Sequence, residues 1–181
     1  GKSDEMSGGS VGITSGESSS GMTGDVVIQS ADGATSASSS GSVTLKSGSA
    51  PAGPSGGMVI ASGDSDAAST GTVDIVTGNS QRGVSGALRI AVGSGTIGTG
   101  GDISVAAGDS SEESGGSIRL RTGYGSQTSS GSMDIETHNS GVSGVSGTIQ
   151  LTSGSATDGI SGGVVLQTGT GSLAGGDISL V

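Results

Sequence analysis

A glycine followed by an alternating aliphatic pair returns along this chain at Gly9, Gly24, Gly41, Gly56, Gly71, Gly86, Gly101, Gly116, Gly131, Gly147, Gly162 and Gly176. Most of these glycines stand a constant 15-residue step apart; the exceptions are the longer steps from Gly24 to Gly41 and from Gly131 to Gly147, and the shorter one from Gly162 to Gly176. Each unit reads G-x-Φ-x-Φ-x-(S/T)-G, with Φ aliphatic, and then a stretch of small or polar residues, as after Gly71-Thr72-Val73-Asp74-Ile75-Val76-Thr77-Gly78. Self-similarity at a fixed period marks a repeat architecture, in which no unit can cover its apolar face alone.

Inside the unit the apolar positions are two apart, as in Val43 with Leu45, Ile103 with Val105 and Ile149 with Leu151. That is the period of a strand with one covered face; a helix would need three or four. A second glycine column, including Gly16, Gly48, Gly63, Gly78, Gly93, Gly108, Gly123, Gly154 and Gly169, closes the strand and is expected to hold positive φ at a turn. Ala31 and His138 stand there in the two lengthened units, where the turn is expected to be rebuilt. His tolerates positive φ better than most residues.

A connection of about eight residues is too short for a helical crossover between parallel strands. The pattern therefore predicts an all-β fold, a single parallel β-solenoid (β-helix) of about 12 coils with about 15 residues per coil, spanning residues 9–181 after a flexible lead over 1–8. At a rung spacing of about 4.8 Å, eleven steps give a rod roughly 50 to 55 Å long. Val, Ile and Leu are expected inside, with a hydroxyl ladder that includes Ser47, Ser62, Thr77, Thr122, Thr137, Ser153 and Thr168. In-register stacking would set Asp74 against Arg89, Arg119 against Asp134 and Arg121 against Glu136, each exposed pair contributing about 0.2 to 1 kcal/mol. The rival reading is a disordered Gly/Ser linker, which has no reason to keep the aliphatic pairs periodic.

Composition narrows the functional classes. Of 181 residues 40 are Gly, 29% are hydrophobic, and there is no Cys, Trp or Phe and one Tyr, Tyr124, so an ordinary aromatic core is excluded. The formal net charge of −10 disfavours nucleic acid, since a polyanion would be repelled. No apolar run long enough for membrane insertion is present, and residues 1–8 carry no apolar stretch of a signal peptide. Without cysteine there is no disulfide framework.

The residue types of catalysis are scattered. His138 is the single histidine and has no Cys beside it, so neither a metal centre nor a general base is indicated. Serine is abundant, but nucleophilic catalysis needs a positioned base and oxyanion donors. Matches to G-x-G-x-x-G are trivial in a chain so rich in glycine, and none opens a helix. Asp64, Asp66, Asp102 and Asp177 lack the regular Gly and Asp of a nine-residue calcium roll. Tyr124 alone makes no glycan-binding platform, and Asn79-Ser80-Gln81 and Asn139-Ser140-Gly141 are not N-glycosylation acceptors. No catalytic, cofactor-binding or metal-binding residue is assigned, and the expectation is a non-enzymatic protein without a cofactor.

In coil length the chain resembles the insect-type antifreeze β-solenoids, whose turns are similarly long. That resemblance implies an outward Thr-x-Thr array on a flat face. Here the column between the aliphatics includes Thr44, Val59, Asp74, Arg89, Ser104, Arg119 and Asp134, so charges interrupt it. The chain is also similar in composition and period to Gly/Ser-rich tracts of large cell-surface and extracellular proteins of microbes and algae. The last unit, Gly176-Asp177-Ile178-Ser179-Leu180-Val181, shows no cap, and an open strand edge accepts another strand. The expected function is a stiff extracellular or cell-surface spacer or fibre segment. Its expected partners are further copies stacked end to end, or adjoining repeats of a longer chain. The alternative is a module that binds ice or another ordered surface.

Overall fold

A computed structural model describes residues 8–35 and 38–180. Of the expected flexible lead, residues 1–7 lie outside the described residues, as does Val181 of the last unit. The chain divides into two units, Gly1–Ile90 and Ala91–Val181. Among the described residues neither contains a helix or a strand.

The expected parallel β-solenoid of about 12 coils is therefore not the fold. Stacked coils require the backbone of each aliphatic segment to bond the segment one repeat away. Among the described residues no backbone bond does this. Three of the bonds present close short loops, from Gly24 N–H to Gly16 O at 3.1 Å, Gly116 N–H to Gly108 O at 2.9 Å and Gly131 N–H to Gly123 O at 3.1 Å. A fourth, from Ser38 N–H to Thr35 O at 3.0 Å, lies in the lengthened unit that starts at Gly24.

Nor is there a seam of enclosed aliphatics, because no described side chain is buried. The period of two survives only as partial shelter: Val73 is 49% exposed, against 85% for the outward Val76. A half-covered aliphatic obtains only a fraction of the roughly 1.5 to 3 kcal/mol that full burial gives. Fixing the backbone costs about 1 to 2 kcal/mol per residue, so shelter of this kind does not sustain a rung.

The 15-residue period is nevertheless built into the local structure. In Gly1–Ile90 the chain bends at 51–53, 66–68 and 81–83; in Ala91–Val181 it bends at 96–98, 111–113 and 126–128, and again at 142–144 and 157–159. The shift to 142 follows the extra residue of the unit that starts at Gly131.

Four bends are shaped by a serine two positions beyond the second glycine column. The Oγ atoms of Ser18, Ser65, Ser80 and Ser110 accept the N–H groups of Gly21, Ala68, Gly83 and Glu113 at 2.9, 3.1, 2.9 and 3.0 Å. Serine competes well for backbone donors in turns, which explains its use here. At the same place in other units stand Gly33, Gly95, Gly125 and Gly171. A methyl group on Gly125 would collide with the Ser129 carbonyl oxygen, and one on Gly171 with that of Ala174.

The second glycine column does not take the role expected of it. Positive φ occurs among the described residues only at Gly98, at 91°, and Gly144, at 138°, and neither belongs to the turn column. A methyl group on the turn glycines Gly48, Gly63, Gly78, Gly93 or Gly154 would meet open space. Of the two columns, it is the unit-opening one whose glycines lie in contact with a neighbour. A methyl on Gly71 would lie 3.8 Å from Ser62 Cβ, one on Gly131 3.5 Å from Thr122 Cβ, and one on Gly162 3.8 Å from Ser153 Cβ.

Candidate functional site

The recurrent feature of the molecule is this closure, in which the first glycine of a unit rests on the side chain just before the turn column of the preceding unit. That position is Ser or Thr in most units and includes Ser15, Ser30, Thr122 and Thr168, four of the few described residues that are more than lightly shielded. The approach is tightest at three units: methyl groups on Gly101, Gly147 and Gly116 would stand 2.9 Å from Val92 Cγ1, 3.1 Å from Thr137 Cγ2 and 3.2 Å from Ala107 Cβ.

The hydroxyls do not form the expected ladder from coil to coil. Among the described residues two hydroxyls of this column bond instead to the opening glycine of the next unit, both in the lengthened units. Ser30 Oγ donates to Gly41 O at 2.8 Å, and Thr137 Oγ1 donates to Gly147 O at 3.2 Å. These are the units in which Ala31 and His138 replace the turn glycine. In both units the hydroxyl bond joins the same two positions that the Gly-to-Gly bond brings together at Gly24, Gly116 and Gly131.

One open cleft of about 520 Å³ is lined by Arg121, Thr122, Gly123, Tyr124 and Ser130. It lies over the loop closed by Gly131 N–H and Gly123 O. Arg121 offers a fixed cation with several donors, and Tyr124 an exposed ring. The lining contains no carboxylate or imidazole to move a proton, so the cleft does not assemble acid–base or nucleophilic chemistry. The sequence reading passed over it. Its signal was the adjacency of Arg121 to the one aromatic residue.

The residues weighed for metal chemistry are not brought together: among the described residues no three of His, Asp and Glu could hold an ion. His138, Asp64, Asp66, Asp102 and Asp177 are all exposed. No described helix is long and apolar enough to cross a membrane. No family model, curated protein or solved structure matches this chain.

Proposed function

We propose that the chain is a non-enzymatic structural repeat segment, a spacer whose product is length set by the number of its repeat units. The observation that carries this reading is the equivalence of the units. From Gly24 to Gly176 each opening glycine meets the same position of the unit before it, and the units with Ala31 and His138 keep that contact and add a hydroxyl bond to it. A binding or catalytic module sets one part of its chain apart; here successive parts repeat one local device. The compositional likeness to surface-protein tracts supports a place outside the cell or at its surface, with adjoining repeats or further copies as partners. Stiffness is not carried over, because it rested on rungs that the fold lacks.

The test uses the absence of native cysteine. Dyes on Ser10→Cys and Ser179→Cys report the end-to-end distance in the intact chain and in versions lacking residues 71–85 or 71–100. A spacer loses a similar increment of distance with each unit removed. A compact particle, whose radius grows only as about the 0.38 power of length, would show almost no change, and that result would overturn the reading.

A further inference from the structure

Every unit presents an alternating aliphatic pair whose side chains are exposed and whose backbone, among the described residues, makes no backbone hydrogen bond. Such a segment is a strand without a partner: apolar surface of this kind marks an association site, and unpaired N–H and C=O groups are a template for another chain. Charge says which chain and in what register.

We infer that a second copy of this chain covers these segments side by side, in parallel and displaced by one repeat unit. The spacing permits it from Gly41 to Gly131, where the repeat keeps one constant step. With that displacement Asp74 faces Arg89, Arg119 faces Asp134 and Arg121 faces Glu136 across the pair of copies. No like charges meet in the columns between and just after the aliphatics. With no displacement each of these residues faces its own copy, so Asp74 opposes Asp74 and Arg89 opposes Arg89. Like charges directly opposite destabilise paired strands, whereas opposite charges stabilise them, so the displaced register wins. Displacement also leaves an unpaired unit at each side of the pair, to which a further copy adds in the same way.

The full 181-residue chain tests this in a concentration series followed by infrared amide absorption and sedimentation. Parallel β absorption is expected to rise together with the sedimenting mass. Arg89→Asp is expected to raise the midpoint concentration about two- to tenfold, since an attraction becomes a repulsion. Asp74→Arg combined with Arg89→Asp restores the original midpoint, because the pair is present again with its signs exchanged. Three outcomes overturn the proposal. They are β absorption that does not depend on concentration, no association up to the solubility limit, and a midpoint that Arg89→Asp leaves unmoved, the last being what an undisplaced register gives.

Discussion

Gly101 lies so close to Val92 that a methyl group on its α-carbon would stand 2.9 Å from Val92 Cγ1. No other unit-opening glycine is approached so tightly: the equivalent distance from Gly71 to Ser62 Cβ is 3.8 Å, and from Gly86 to Thr77 Cβ 3.9 Å. One repeated contact is thus graded from unit to unit, and not by side-chain size alone, since a methyl on Gly116 would stand 3.2 Å from the small Ala107. The β-branched Val92 supplies a rigid methyl where serine supplies a smaller group.

That gradation separates two alanine substitutions. Gly101→Ala forces Val92 away from its rotamer or opens the loop, at a cost of about 0.5 to 1.5 kcal/mol. Gly71→Ala gains an ordinary van der Waals contact and leaves its loop closed. Three-bond couplings and nuclear Overhauser contacts measure both: the Val92 methyl couplings change in the first variant, and the Ser62-to-residue-71 contact persists in the second. Gly78→Ala serves as the control, because its methyl would project into open space.

A second prediction concerns the serine-shaped bends. Ser80 Oγ accepts the Gly83 N–H at 2.9 Å, and Ser65 Oγ accepts the Ala68 N–H at 3.1 Å, both exposed. Ser80→Ala removes an acceptor whose net contribution is about 0.5 to 1 kcal/mol. Amide exchange at residue 83 is expected to accelerate about two- to fivefold while exchange at Ala68 is unchanged, and Ser65→Ala should give the converse. An equal response at both amides would mean that the bends are not independent.

These local devices show how far the sequence could be read. The repeat period and the alternation of Val73 with Ile75 were legible, and the structure carries both, as evenly spaced bends and as partial shelter. The β-solenoid was not a sound inference from them. Alternation says which side chains share a face but names no partner for the backbone, and a chain without Phe or Trp has little large apolar surface with which to enclose a seam. The second glycine column was misread for a related reason. A glycine that supplies unusual φ and one that admits a neighbour look the same in sequence; Gly78 turned out to need neither, and Gly101 the second. The serines of the bends and the Arg121–Tyr124 cleft depend on short-range contacts within a loop of uniform composition, where residue type alone carries no direction.

The lengthened units supply the last prediction. Thr137 Oγ1 donates to Gly147 O at 3.2 Å, and a methyl on Gly147 would also press on Thr137 Cγ2 at 3.1 Å, so hydroxyl and methyl of one threonine both face the opening glycine. Thr137→Val keeps the methyl contact and removes the donor, whereas Thr137→Ser keeps the donor and relieves the crowding. If the hydroxyl is what closes this loop, valine opens it and serine does not. The Gly147 carbonyl carbon shift should move toward its solvent-exposed value in the valine variant alone, with a loss of about 0.5 to 1.5 kcal/mol. Ser30→Ala should have the same effect at Gly41, because its hydroxyl makes the corresponding bond at 2.8 Å. Closure that survives in both Thr137→Val and Ser30→Ala would show that packing against the glycine suffices even in the units that lack the turn glycine.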